Sequence, residues 1–272
     1  MSDYTSYLNI ALRAAILAGK EILSVYDGEV EIELKDDKSP LTIADKLSHQ
    51  IIAEHLQPTG LNVLSEEGKS IDFNERKNWK LFWMVDPLDG TKEFIKKNGE
   101  FTVNIALVKE NVPVLGVVYA PVLNTIYFGA KGFGSYKCSA SVSEFIALTS
   151  EDDFMDVLLS KSSKLPLEKT KETFTVVASR SHLSPETEVF INKLEAKYGT
   201  VNFISKGSSL KICLVTEGSA DIYPRLAPTM EWDTAAGQAV ALYAGKSVKL
   251  FKNNEAMKYN KENLLNEWFV VS

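Results

Sequence analysis

The stretch that decides the fold is Leu81-Phe82-Trp83-Met84-Val85-Asp86-Pro87-Leu88-Asp89-Gly90-Thr91. Its first five residues are apolar, which is typical of a buried strand. Pro87 and Gly90 then predict an abrupt turn. Asp86 and Asp89 flank that turn, so both carboxylates can point at one spot. Because Mg²⁺ prefers carboxylate and carbonyl oxygens, the stretch predicts a strand that ends in a metal site.

The same turn has a local alternative, in which its carboxylates accept hydrogen bonds from nearby backbone N–H groups in an Asx turn. Three further acidic segments favour the metal site. They are Leu64-Ser65-Glu66-Glu67 after a short predicted strand, residues 39–45, which open a predicted helix, and residues 231–237, where another helix begins. For Asp45 and Asp233 the local alternative is stabilisation of a helix N-terminus.

Taken in order along the chain, these segments resemble the lithium-sensitive, magnesium-dependent phosphatases that include inositol monophosphatases and fructose bisphosphatases. Within that superfamily the sequence most resembles the 3'(2'),5'-bisphosphate nucleotidases of the CysQ type. The resemblance runs from about residue 35 to 245, and residues 150–173 match no motif. The segments that carry it are residues 38–42, 44–45, 64–67, 85–94, 98–107, 116–121, 179–182, 207–211 and 232–237.

The resemblance implies a layered αβαβα sugar-phosphatase fold of mixed α+β and α/β character. Residues 1–150 would form the metal-binding half, and residues 151–272 the α/β half that completes the active site and binds the nucleotide. The implied Mg²⁺ ligands are the carboxylates of Glu66, Asp86, Asp89 and Asp233 and the carbonyl oxygen of Leu88.

The resemblance also implies that Thr91 and Asp45 activate the attacking water. A neutral hydroxyl is a poor base alone, so Thr91 needs Asp45 to accept its proton. Backbone N–H groups of Gly90 and Thr91 would hold phosphate oxygens if they open a helix. The role of Glu67 is left open, since its side chain can either lie behind the metal ligands or face solvent.

Substrate contacts are implied for Ser179, His182, Gly207 and Lys211, with Asp233 beside them. Lys211 is the expected partner of a 5'-phosphate. From the residues alone, the alternative for His182 is a solvated loop histidine, and the alternative for Lys211 is an exposed helical lysine.

The implied reaction removes the 3'-phosphate of adenosine 3',5'-bisphosphate (PAP) to give AMP, a step of sulfur assimilation, and extends to conversion of PAPS to APS. An inositol monophosphatase or a fructose-1,6-bisphosphatase would share the metal residues and differ in residues 179–211. A non-catalytic nucleotide or Mg²⁺ sensor is the alternative from another class. The Asp45–Thr91 pair favours an enzyme, since a binder needs no water-activating relay.

Composition agrees with these expectations. The 272 residues are 45% hydrophobic, enough for a sizeable core, and the net charge of −6 argues against a nucleic-acid polymer as partner. A small anionic substrate remains compatible where Mg²⁺ offsets the repulsion. Cys138 and Cys213 lie far apart and predict no disulfide framework or zinc site. A monomer and a homodimer both remain open.

The N-terminal residues lack a signal-peptide pattern, and no apolar run has the roughly 20 residues that a membrane span requires. We therefore expect a cytoplasmic protein, with peripheral association with the inner face of the cell membrane as the alternative.

Periodicity predicts an N-terminal helix that ends near Gly28 and a second helix over residues 42–56. Strands are expected at residues 63–64, 81–85, 101–108, 114–119 and 125–129, as in an antiparallel meander. The charged residues 150–173 are expected to cross between the domains. Beyond them the pattern alternates between strands (174–178, 202–204, 220–223) and helices (185–198, 209–217 and one from Asp233), which is typical of an α/β domain.

Overall fold

A computed structural model describes residues 4–28, 32–34, 40–168, 173–178 and 184–272. The helices that these residues form, besides a single 3₁₀ turn at Gln57–Thr59, are α1 (Thr5–Tyr26), α2 (Ile43–Leu56), α3 (Phe73–Arg76), α4 (Thr91–Ile95), α5 (Val142–Leu148), α6 (Phe154–Ser160), α7 (Pro185–Tyr198), α8 (Leu210–Glu217) and α9 (Glu231–Tyr243).

A seven-stranded sheet forms the centre of the molecule. Its strands lie in sequence order, and each neighbouring pair is antiparallel except the first, which is parallel. They are β3 (Asn62–Ser65), β4 (Leu81–Asp89), β5 (Thr102–Lys109), β6 (Val112–Ala120), β7 (Thr125–Ala130), β8 (Gly134–Ser139) and β9 (Ser162–Lys164). A short antiparallel hairpin, β1 (Ile32–Leu34) and β2 (Pro40–Thr42), precedes it. The expected antiparallel meander is confirmed from β4 onwards, whereas for the first strand it was wrong, because β3 pairs with β4 in parallel.

Two smaller sheets are built from the C-terminal part of the chain. The strands β10 (Thr175–Ala178) and β11 (Asn202–Ser205) pair in parallel. The strands β12 (Tyr223–Arg225), β13 (Val248–Leu250) and β14 (Phe269–Val271) form an antiparallel sheet with β14 in the middle. A bridge between Val176 and Ile222 joins these two sheets.

Helices cover both faces of the central sheet. On one face α1 and α2 pack together and enclose a core that contains Trp83, Ile105 and Phe128. On the other face α8 and α9 pack over a second core that contains Phe82, Met84 and Val118. Because β4 is buried on both faces, its continuous apolar run needs no alternation of polar residues.

The small sheets lie on the far side of α8 and α9, where α7 contacts β12. The order of layers is therefore helices, sheet, helices, sheets and helix. The layered αβαβα fold expected from the sequence is confirmed.

Two segments differ in detail from the expectation. Within residues 150–173, the chain forms α6 and then β9, which pairs with β8 and so extends the central sheet. The strand expected at residues 220–223 begins instead at Tyr223. The division into halves at residue 150 stays a prediction.

Cys138 and Cys213 are both free and buried. None of the helices formed by the described residues has the length and apolar character required to cross a bilayer.

Candidate active site

The end of β4 is bent by a bulge. Asp86 pairs with Asn104 and Asp89 pairs with Thr102, and the register shifts between these two pairs. Pro87 lies in the bulge, where the absence of a backbone N–H removes no hydrogen bond between β4 and β5. The predicted turn is thus a bulge that leaves both acids on one strand, and the Ser48 hydroxyl donates to the Pro87 carbonyl at 2.6 Å to hold it against α2.

Three carboxylates meet at this strand end. One oxygen each from Glu66, Asp86 and Asp233 lies within 4.8 Å of the other two. Glu66 follows β3, and its N–H donates to the Val85 carbonyl at 3.1 Å. Asp233 comes from the first turn of α9, where its Oδ2 accepts from the Met230 N–H at 2.9 Å. The structure therefore brings together predicted ligands from three distant segments.

Asp89 lies beside this cluster and is bound chiefly to other residues. Its Oδ2 accepts from the backbone N–H of Ser209 at 2.6 Å and from the Ser209 hydroxyl at 2.8 Å. Asn104 Nδ2 donates to the same oxygen at 3.3 Å. These donors fix the side chain from α8 and from β5.

Burial and mutual repulsion act on the cluster. Burial, followed by the negative charges of Glu66 and Asp89, raises the pKa of Asp86 well above its usual value. Burial and the charge of Asp89 raise the pKa of Asp233 to about 8. Like charges held together away from water favour a neutralising cation, and a donor set of hard oxygens fits Mg²⁺.

The Asp45–Thr91 pair forms as predicted. The Thr91 hydroxyl lies 3.2 Å from Asp45 Oδ1 and 3.5 Å from the Leu88 carbonyl oxygen. Asp45 is buried, and its Oδ2 accepts from the Thr42 N–H at 2.8 Å and from the Thr42 hydroxyl at 2.6 Å. Asp45 thus uses Oδ2 to stabilise the N-terminus of α2, which was the local alternative for this residue, while its Oδ1 faces Thr91.

Gly90 precedes α4, with φ at +95°. This left-handed conformation favours glycine, because a β-carbon would crowd the backbone. The next residue, Thr91, is the first of the helix, as the phosphate-binding interpretation required.

A cleft of about 570 Å³ extends from Asp89 and Asp233 towards the C-terminal part. Its lining also includes four basic side chains, which we call the cationic wall: Lys92, Lys96, Lys211 and Arg225. Lys211 is buried rather than exposed, and burial lowers its pKa to about 8. Its Nζ donates to the Lys206 carbonyl at 3.3 Å, and it lies 5.9 Å from the centre of the Tyr223 ring.

Gly207 has a packing role that the motif alone did not reveal. Its N–H donates to Glu100 Oε2 at 2.9 Å, and a β-carbon there would lie 2.7 Å from the Glu100 carbonyl oxygen. Glu67 is half-buried next to the cluster. Ser179 and His182 lie outside the described residues, so their nucleotide roles stay predictions.

Sequence reasoning gave no role to Ser209 or Asn104. Ser209 was visible in the Gly207-Ser208-Ser209-Leu210-Lys211 motif, but its contacts with Asp89 depend on tertiary packing. His49 lies 3.0 Å from the Ser65 hydroxyl through its Nδ1.

Comparison with known proteins identifies the class. The model of the inositol monophosphatase family matches residues 3–267. The chain therefore belongs to the inositol monophosphatase family.

Its relatives within that family include nucleotidases. The chain is 42% identical over 259 residues to the 3'(2'),5'-bisphosphate nucleotidase CysQ of Salmonella typhimurium, covering 94% of this chain and 95% of that protein. It is 37% identical over 268 residues to CysQ of Haemophilus influenzae, covering 97% and 91% respectively. The resemblance to CysQ-type nucleotidases drawn from the motifs is confirmed.

Solved structures agree. CysQ from Bacteroides thetaiotaomicron superposes with a TM-score of 0.89 at 51% identity, covering 99% of this chain and 98% of that one. The inositol monophosphatase of Thermotoga maritima gives a TM-score of 0.73 at 20% identity, covering 98% and 92%, and at that identity it supports the fold alone.

Proposed function

We infer that this chain is a 3'(2'),5'-bisphosphate nucleotidase, and we propose that it uses Mg²⁺ to convert PAP to AMP and phosphate. The observation that carries the proposal is the Asp45–Thr91 pair beside a carboxylate cluster, of which Asp233 lines a cleft that also contains four basic side chains. An acidic, water-activating end and a cationic end suit a substrate that has a reacting phosphate and a second anionic group. The sequence similarity to CysQ nucleotidases supports this substrate class.

Glu66, Asp86 and Asp233 would hold Mg²⁺, together with Asp89 and the Leu88 carbonyl. When bound, Mg²⁺ neutralises phosphate charge and makes a water easier to deprotonate. The remaining chemistry is carried out by residues of the chain.

Thr91 and Asp45 would move the proton. With its hydroxyl hydrogen directed to Asp45 Oδ1, Thr91 Oγ has its lone pairs free to accept a proton from the attacking water. As that proton arrives, the hydroxyl hydrogen passes to Asp45, which Thr42 holds in place through the opposite oxygen. A relay of this kind typically contributes about 10²- to 10⁴-fold in rate.

The cationic wall would hold the second anionic group. Lys211 and Arg225 both face the cleft, and charged hydrogen bonds to phosphate are among the strong ones. Ser208 Oγ and Arg225 Nε are buried and have no hydrogen-bond partner among the described residues. Buried polar atoms without partners are costly, so a polar ligand at this wall would satisfy them.

A substrate panel tests the proposal. Phosphate release would be measured from PAP, inositol 1-phosphate, fructose 1,6-bisphosphate and AMP, with and without Mg²⁺. We expect Mg²⁺-dependent release from PAP that stops at AMP. Preference for the inositol or sugar phosphates would leave the metal site in place and remove the nucleotide assignment. No release from any substrate would favour a sensor on the same scaffold.

Conversion of PAPS to APS, inhibition by lithium, a cytoplasmic location and the choice between monomer and homodimer stay predictions. The first two can be measured in the same assay.

A further inference from the structure

Ser209 lies where the two parts of the active site meet. It is buried immediately before α8, and its hydroxyl Oγ makes three polar contacts. The oxygen lies 2.8 Å from Asp89 Oδ2 and 2.6 Å from the Asp233 carbonyl oxygen. The side-chain amide of Asn104 donates to it at 2.9 Å. One hydroxyl thus joins β4, β5, α8 and α9.

The hydroxyl has a single proton and two acceptors. Because Asn104 already donates to Oγ, the hydroxyl proton is directed either to the Asp89 carboxylate or to the Asp233 carbonyl. Hydrogen bonds to a charged acceptor are the stronger kind, so an uncompensated Asp89 attracts the proton. A cation on Asp89 withdraws that negative charge, and the Asp233 carbonyl becomes the better acceptor.

The Asp233 carbonyl oxygen lies in the first turn of α9, which also carries the Asp233 carboxylate. Donation from Ser209 to this turn would draw it towards Asp89. Binding of a cation at Asp89 on β4 would thereby be linked to the position of the Asp233 carboxylate on α9.

We propose that Ser209 is a positioning residue that couples Asp89 to Asp233 and so sets the affinity of the site for Mg²⁺. The proposal rests on the metal site of the proposed function and deepens it. Ser209 itself touches neither the substrate nor the reacting atoms in this role.

The test is calorimetric titration of Mg²⁺ into the metal-stripped, full-length protein without substrate. Ser209→Ala removes Oγ and keeps the backbone N–H bond to Asp89. By this argument the bond to the charged Asp89 belongs to the metal-free state and is exchanged for a weaker bond to a neutral carbonyl when Mg²⁺ binds. Its removal therefore destabilises the metal-free state more, and we expect Ser209→Ala to bind Mg²⁺ about fivefold more tightly. Ser209→Thr retains the hydroxyl and should bind Mg²⁺ much as the wild type does.

Ser219→Ala is the matched control. The Ser219 hydroxyl also donates to a carboxylate, Glu217 Oε1 at 2.5 Å, but just beyond the opposite end of α8. Ser219→Ala should bind Mg²⁺ as the wild type does. Melting temperatures of all variants in EDTA show whether any change of affinity follows from general destabilisation.

Wild-type affinity in Ser209→Ala would overturn the coupling and leave the proposed function standing. Equal changes in Ser209→Ala and Ser219→Ala would overturn it as well, because they would indicate a purely structural effect. A wild-type protein that binds no Mg²⁺ would overturn both proposals. Should Ser209→Ala fail to fold, Ser209→Cys takes its place, with a similar gain in affinity expected because a thiol is only a weak donor; unchanged affinity there counts against the coupling.

Discussion

The two ends of the cleft are built in different ways. The acidic end is centred on one strand terminus, where Asp86, Asp89 and Thr91 follow one another on β4 and at the start of α4. The cationic wall combines Lys211 on α8, Arg225 on β12, Lys92 within α4 and Lys96 just after it. From this difference we infer a division of labour, in which the strand end would supply chemistry for any phosphate ester and the wall would select among esters. Substitutions at the two ends should therefore have different signatures.

The largest effect is expected from Asp89→Asn. It removes a charge from the proposed metal site, so we expect turnover of every substrate to fall by about a thousandfold, the upper range for a lost electrostatic group. The fold should remain intact. Rates would be measured with PAP and with a nucleotide lacking the 5'-phosphate.

Glu54→Gln, an exposed acid on α2, is the control and should keep wild-type rates. Turnover of Asp89→Asn within about threefold of wild type, with normal Mg²⁺ dependence, would remove Asp89 from the metal site, since such groups usually contribute about 10²-fold or more.

Thr91→Ala tests the relay. Without the hydroxyl, the water loses its route to Asp45, and we expect kcat to fall by about a hundredfold for all substrates with little change in KM. Thr91→Ser keeps the hydroxyl and should lose far less. Similar losses in the two variants would show that the methyl group, and not the hydroxyl, matters.

Lys211→Ala tests the cationic wall. If Lys211 holds the 5'-phosphate, kcat/KM for PAP should fall by about tenfold, as expected for one charged hydrogen bond. For adenosine 3'-phosphate, which lacks that group, the change should be small. Lys193→Ala on α7 provides an exposed-lysine control. Equal losses on both substrates would end the distinction between the two ends of the cleft.

The smallest effect is a pH dependence. Burial lowers the pKa of Lys211 to about 8, so its ammonium group loses its proton as the pH rises through that value. The constant kcat/KM reports the ionisation of groups in the free enzyme. Between pH 8 and pH 9 we therefore expect kcat/KM for PAP to decrease about threefold more than kcat/KM for adenosine 3'-phosphate. Lys211→Arg, which stays protonated, should abolish this difference between the substrates. Its persistence in that variant would assign the titration to another group.

One part of the acidic end was predictable from spacing because Asp86, Asp89 and Thr91 are close along the chain, whereas Asp45, Glu66 and Asp233 were implied only by the family resemblance. A continuous apolar run predicted β4, and Asp86 and Asp89 then necessarily lie near each other. The bulge was not predicted: Pro87 was interpreted as ending the strand, whereas the ladder resumes at Asp89. A bulge depends on pairing with β5, which local sequence does not encode.

The cationic wall was less accessible to such reasoning. The burial of Lys211 and the contacts of Gly207 with Glu100 depend on how α8 packs against the central sheet. Ser209 appeared only as a helix start, although it contacts both Asp89 and Asp233. Spacing along the chain predicts neighbours on one element, and contacts between elements follow from tertiary packing.

The central sheet ends on both sides in very short strands, β3 with four residues and β9 with three. The long apolar strands β4, β5 and β6 lie between them, and each pairs with a neighbouring strand on both sides. A short edge strand with an exposed Lys164 offers little template to a strand from another molecule. We therefore expect β9 to disfavour amyloid-like association of this protein in concentrated solution.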